Sequence, residues 1–131
     1  MNTQFKEPTS IEELKKRYAQ GERDFRNLDF DSGIFENLIL DNADFEHSWF
    51  HSAEFRNCSL KNVTLKNCNL KCCDFKNSDF ESSSFYNSLL CGSEFENCNL
   101  KGTDFTKVEI YGAEINTKDY LNLVSNKNNV A

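Results

Sequence analysis

A large apolar residue recurs at every fifth position over most of this 131-residue chain. In the clearest stretch, from Phe75 to Phe95, each large residue is followed by residues that are mostly small or polar. A fixed internal period indicates a repeat architecture, in which every unit packs mainly on its neighbours. The large residues, called centre positions below, are Phe25, Phe30, Phe35, Leu40, Phe45, Phe50, Phe55, Leu60, Leu65, Leu70, Phe75, Phe80, Phe85, Leu90, Phe95, Leu100, Phe105, Ile110, Ile115 and Tyr120.

The residue two before each centre position is small from Gly33 to Ala113, with Leu38 as the exception. Residues two apart in an extended chain point to the same side, so both side chains point inward. Because the period is odd, a straight strand would reverse its faces at each repeat. The chain must therefore turn within every unit, and the Asn, Gly and Ser residues after each centre position favour that turn. This pattern predicts a coil wound around a hydrophobic axis.

A short helix is predicted before the repeats. Ser10 and Glu13 form a capping box, and Ile11, Leu14 and Tyr18 lie on one apolar stripe. A helix of about ten residues is marginally stable alone in water. We therefore expect it to pack on the exposed first coil.

The repeat resembles the pentapeptide-repeat family, whose unit is a small residue, a polar residue, Phe or Leu, and two variable residues. Clear instances are Ala43-Asp44-Phe45, Ala53-Glu54-Phe55, Cys98-Asn99-Leu100 and Thr103-Asp104-Phe105. The resemblance covers residues 22–121 and implies an all-β fold, a right-handed quadrilateral β-helix of about five coils. Residues 1–21 resemble the N-terminal segment and capping α-helix of small cyanobacterial members. Residues 122–131 follow as a C-terminal tail.

With four units to a coil, as the resemblance implies, residues 20 apart stack about 4.8 Å from each other. This spacing stacks Asn37, Asn57, Asn77 and Asn97 in a ladder of the kind that stabilises stacked strands. It also pairs the opposite charges of Lys76 and Glu96. Finally, it places Glu54, Asp74, Glu94 and Glu114 in one outward acidic stripe.

The acidic stripe raises an alternative function, because some members of the resembled family imitate DNA and bind type II topoisomerases. DNA carries an unbroken line of charge, about one per 1.7 Å. In this chain a basic belt interrupts the acidic residues, which makes it a poor imitation of a polyanion. The belt consists of Arg56, Lys61, Lys66, Lys71 and Lys76.

The six cysteines fall into two groups. Cys58, Cys68, Cys73 and Cys98 take the small inward position, where a free cysteine packs as a small hydrophobe. Cys72 and Cys91 lie on the turns of adjacent coils, where a disulfide and two free thiols are the alternatives. Residues 1–20 contain no apolar secretory segment, which predicts a cytoplasmic location and reduced cysteines.

These patterns predict a non-enzymatic scaffold or protein–protein interaction module, without cofactor or metal site. A formal net charge of -6 argues against nucleic-acid binding, and no apolar run is long enough for a membrane span. We expect a monomer that binds an unidentified protein.

The candidate partner face is apolar. Trp49 and Leu89 stand where the repeat has a polar residue, and the stacking of residues 20 apart places Tyr111 on the same face. Several exposed apolar residues on one face suggest docking. Alternatively, the tail folds back over part of this face through Leu121, Leu123 or Val124.

Overall fold

The structure, a computed structural model, describes residues 7–128, with side chains described as far as residue 125. Residues 1–6, the start of the predicted N-terminal segment, lie outside the described residues, as do residues 129–131 of the tail. The helices and strands are α1 (Ile11–Ala19), β1 (Ile34–Glu36), β2 (Glu54–Arg56), β3 (Val108–Ile110), β4 (Ala113–Ile115) and α2 (Thr117–Asn128).

Parallel backbone pairing between residues 20 apart builds the body of the molecule. Phe75 N–H, for example, donates to Glu94 O at 2.9 Å, and Asp74 N–H donates to Ala53 O at 3.0 Å. The bridged residues of each row immediately precede centre positions, so the chain returns to the same row after four units. The rows are Asp24, Asp44, Thr64, Ser84 and Asp104; Asp29, Trp49, Asn69, Leu89 and Glu109; Ile34, Glu54, Asp74 and Glu94; Ile39, Ser59, Asp79 and Asn99.

The turns between rows use left-handed backbone at a fixed place. The residue two after a centre position, called the corner below, has positive φ throughout the repeats, for example 63° at Asn27 and 61° at Asn77. Asn and Gly adopt this conformation more readily than other residues. The abundance of Asn in the sequence is therefore explained by the turns. One corner pair is also bonded directly, since Asn87 Nδ2 donates to Asn67 Oδ1 at 2.7 Å.

The large residues at the centre positions fill the interior. Phe35, Phe55, Phe75 and Phe95 form one continuous stack, with successive ring centroids 4.4, 5.6 and 4.7 Å apart. All four side chains are buried. This arrangement follows from the five-residue period, because every fourth large residue returns to the same column.

Hydroxyl and thiol groups in the small inward position bond to the coil below. Ser83 Oγ accepts from Val63 N–H at 3.0 Å and donates to Leu60 O at 2.5 Å. Ser78, Ser88 and Ser93 make the same two kinds of bond. Cysteine thiols donate to the equivalent carbonyl, as Cys68 Sγ does to Phe45 O at 3.1 Å. These residues connect coils as well as filling space.

Helix α1 forms where the sequence predicts it. The Ser10 side chain accepts a hydrogen bond from Glu13 N–H at 3.1 Å and begins the helix. Leu14 is fully buried in the same core cluster as the first coil. Tyr18 OH donates to Asp41 O at 2.8 Å, which fixes the other end of the helix to the repeats.

The C-terminal end departs from the predicted range of 22–121. The last parallel bridge joins Leu89 to Glu109, after which β3 and β4 pair as an antiparallel hairpin. Ala113, predicted to point inward, is exposed. Helix α2 then begins at Thr117, so part of the predicted repeat and part of the predicted tail are one helix.

Two local features explain this helix. Lys118 stands two before Tyr120, where a coil would need a small inward residue. Asn116 Oδ1 accepts a hydrogen bond from Asp119 N–H at 2.8 Å, which is the bond of a helix N-cap. Tyr120 is buried, with its ring 4.7 Å from that of Phe105. It continues the aromatic packing from a helix instead of from a coil.

Candidate functional site

Trp49 and Leu89 line one groove on the surface. They lie two coils apart in the same row, with Asn69 bridged to both. The Trp49 side chain is 47% exposed and Leu89 is half-buried. The groove has a volume of about 290 Å³, and its wall also includes His47, Asn67 and Asn87.

Hydrogen bonds among the polar side chains hold this groove in shape. Asn67 accepts from Asn87 and donates to Glu46 Oε2 at 3.1 Å. Asn69 Oδ1 accepts from Lys71 N–H at 3.1 Å. The apolar side chains are therefore set among neutral amides whose orientations are already determined. A binding partner would order few additional side chains, which lowers the entropic cost of association.

Tyr111 is not among the residues that line this groove. Its side chain is 85% exposed and its backbone is left-handed, with φ of 50°. It lines a different cavity of about 190 Å³, whose wall includes Leu123 and Val124 of α2. The structure thus brings Trp49 and Leu89 together and places Tyr111 beside the C-terminal helix. That helix leaves the Tyr111 side chain largely uncovered.

The acidic stripe is shorter than the sequence predicts. Glu54, Asp74 and Glu94 follow one another in a single row. Glu114 does not continue that row, because it pairs with Glu109 across the antiparallel hairpin. The prediction that Glu114 stacks on the other three is wrong, since the chain leaves the coil before reaching it.

The basic belt neutralises part of this stripe. Arg56 lies 3.1 Å from the Glu54 carboxylate and 2.9 Å from that of Asp74. The predicted pair of Lys76 and Glu96 is present at 3.5 Å. Opposite charges on adjacent coils thus compensate each other.

The cysteines differ in accessibility. Burial raises the pKa of Cys68 and of Cys73 to about 12, which keeps these inward thiols protonated. Cys72 is exposed at a corner and Cys91 is half-buried on the next coil. Within residues 7–128, no group of His, Cys, Asp and Glu side chains is arranged to hold a metal ion.

In the described part of the chain, neither helix has the length and apolar character needed to cross a membrane.

Comparisons with known proteins bear on the family of the chain. The solved structures that resemble the chain include a pentapeptide repeat protein from the thylakoid lumen of Arabidopsis thaliana, with 16% identity, 75% of this chain and 74% of that chain covered, and a TM-score of 0.42. Another is a pentapeptide repeat protein from Nostoc PCC 7120, with 18% identity, coverage of 81% and 84%, and a TM-score of 0.35. A third is trypsin-treated QnrB1, a plasmid-mediated fluoroquinolone resistance protein, with 17% identity, coverage of 82% and 67%, and a TM-score of 0.37.

No curated protein matches the chain. The family model described as the pentapeptide repeat region matches residues 28–105, which is more than half of the chain. This match confirms the resemblance carried by the small–polar–Phe/Leu units. The chain belongs to the pentapeptide repeat family, whose members form right-handed β-helices.

Proposed function

We propose that the protein is a non-enzymatic scaffold that binds another protein through the groove containing Trp49 and Leu89. In this proposal the chain is a rigid four-sided rod of about five coils, capped by α1 at its N-terminal end. The observation that carries the proposal is Trp49. Its indole is 47% exposed at a repeat position that is usually polar, and it lies in a preformed groove. Trp is among the residues most enriched in binding hot spots.

The arrangement of the carboxylates favours binding over catalysis. They lie on the outside of the coils, and several are paired with Lys or Arg of an adjacent coil. A catalytic acid or base needs a cleft that shifts its pKa and excludes water. The inside of the coil is instead filled by stacked rings and by inward Ser and Cys side chains.

The Trp49→Ala variant should no longer capture the proteins that wild type binds, and its fold should not be destabilised. A half-exposed indole contributes more to a partner's surface than to the core, so the melting temperature should stay within about 2 °C of wild type. The measurement is affinity capture from the source organism's lysate, with and without about 0.5 M salt to weaken surface charge contacts.

The matched control is Ile34→Ala. Ile34 occupies the same repeat position in another row and is 53% exposed. The Ile34→Ala variant should capture the same proteins as wild type. If Trp49→Ala also captures them equally well, the groove is not the contact surface.

The alternative of topoisomerase binding has one supporting observation, the three consecutive acidic residues Glu54, Asp74 and Glu94. The pairing of Arg56 with two of them weakens this support. We therefore expect no inhibition of DNA gyrase supercoiling at micromolar protein. Strong inhibition that disappears when these three residues are changed to Gln would favour the alternative. The control variant neutralises Glu36, Glu96 and Asp119, which are exposed elsewhere.

A further inference from the structure

Cys72, at a corner, lies next to Cys91 of the adjacent coil, which comes one residue before the corner at Gly92. Cys72 N–H donates to Cys91 O at 2.9 Å, so the two residues belong to directly paired segments. Cys72 stacks on Gly92, the residue that follows Cys91. A Cβ atom placed on Gly92 would lie 3.8 Å from Cys72 Cα and 3.4 Å from Cys72 Sγ. The Cys72 thiol therefore lies over the segment that carries Cys91.

The separation of these residues suits a disulfide bond. Paired strands lie about 4.8 Å apart and consecutive Cα atoms about 3.8 Å apart. Cys91 is one residue from the stacking partner of Cys72, and the chain direction is roughly perpendicular to the stacking direction, so the two Cα atoms are about 6 Å apart. Disulfides join Cα atoms about 4.4–6.8 Å apart. Rotation of the two side chains would thus form the bond without a large movement of the backbone.

The other thiols are protected from the same chemistry. The four inward cysteines donate hydrogen bonds to backbone carbonyls of the coil below. Burial raises the pKa of Cys58, and it raises the pKa of Cys98 to about 12. Only the thiolate attacks a disulfide, so these groups react slowly. An oxidant in solution meets the exposed Cys72 first.

We propose that Cys72 and Cys91 form a reversible disulfide that links two coils when the protein meets a small-molecule disulfide such as oxidised glutathione. The Cys72 thiolate attacks one glutathione sulfur, forms a mixed disulfide and releases one glutathione thiolate. The Cys91 thiolate then attacks the Cys72 sulfur and releases the second. The two cysteines lose two electrons and two protons, and oxidised glutathione becomes two reduced molecules. Reduced thiols in excess reverse both steps.

The bond would lie beside the groove of the proposed partner face. Leu89 precedes Cys91 by two residues, and Asn69 precedes Cys72 by three. Asn69 and Leu89 both line the groove, and a backbone bridge joins them across the same two coils. The disulfide would therefore prevent these coils from separating at the corner next to the groove. This chemistry does not depend on whether the groove binds a protein.

The test treats the full-length folded chain with oxidised glutathione, then unfolds it in denaturant, alkylates the remaining thiols and measures the intact mass. We expect two of the six cysteines to escape alkylation, without retained glutathione. The mass should be two hydrogen atoms below that of a chain with four alkylated and two free thiols. Cys72→Ser and Cys91→Ser should each abolish the bond. Cys72→Ser removes the first attacking thiol, and Cys91→Ser should leave a glutathione adduct on Cys72.

Matched controls are Cys73→Ser and Cys98→Ser, since serine already fills the same inward position in other coils. Both should still form the bond. Six alkylated thiols in the treated wild type would overturn the proposal, as would a persistent glutathione adduct on the wild-type chain. Loss of the bond in Cys73→Ser, with circular dichroism showing that variant folded, would also overturn it.

Discussion

Replacing Phe75 by alanine is expected to lower the free energy of unfolding by roughly 3–5 kcal/mol. The Phe75 ring is fully buried, with stacked rings on both sides, 5.6 Å from Phe55 and 4.7 Å from Phe95. It also meets Phe80 edge to face at 5.2 Å. Removing the ring leaves a cavity that the coils above and below cannot close, because their spacing is determined by backbone pairing. Urea unfolding followed by circular dichroism measures the loss.

Two further variants separate core packing from other effects. Phe75→Leu should cost less than about 1.5 kcal/mol, because leucine fills the same position in other units. Asn77→Ala removes an exposed side chain from a corner with φ of 61°, and its cost should be about 1 kcal/mol. Equal losses from Phe75→Ala and Asn77→Ala would contradict the inward assignment of the centre positions.

The period of the sequence predicts the inside and the outside of the coil because both depend on side-chain size alone. A large residue at every fifth position, with a small one two before it, leaves few other ways to bury both. Helix α1 is likewise predictable, since Ser10 and Leu14 carry the cap and the buried contact. Asn enrichment at the corners follows from one backbone conformation repeated in every unit.

The end of the repeat could not be found by counting. Tyr120 continues the five-residue period, yet it reaches the core from a helix. The signals that distinguish the two outcomes are Lys118, which cannot fill an inward position, and Asn116, which caps a helix. Because the coil ends early, Glu114 leaves the acidic row. A period alone does not show where a chain stops following it.

The hydrogen bonds of the inward serines could not be predicted from the pattern of side-chain sizes either. Ser83 and Cys68 are similar in size, so a size pattern treats both as filler. In the structure the Ser83 hydroxyl replaces the direct turn bond between Val63 N–H and Leu60 O. Val63 lies one coil after Ala43 and has no hydroxyl group. Ala43 N–H therefore makes the direct turn bond and donates to Leu40 O at 3.2 Å. The hydrogen bonding of one coil thus depends on the side chains of the next.

The second large effect is expected at the N-terminal end of the rod. Phe25 and Leu28 belong to the first coil and have no coil below them, yet both are buried. Leu14 of α1 is fully buried in the same cluster. Removing residues 1–20 would expose these side chains together with the outer edge of the first coil. Uncovered β-structure of this kind pairs with other chains, so the truncated protein should dimerise or aggregate.

A point variant makes this test sharper. Leu14→Lys buries an unpaired charge and should cost at least about 2–5 kcal/mol, the range for losing the leucine alone, and it should raise the light scattering of the protein. Ala19→Lys adds the same charge at an exposed position of the same helix, and it should remain monomeric and as stable as wild type. An unchanged monomer in both the truncated protein and Leu14→Lys would show that α1 does not protect the end. Aggregation of Leu14→Lys alone would instead point to damage within the first coil, because the truncation removes the helix without placing a charge in the core.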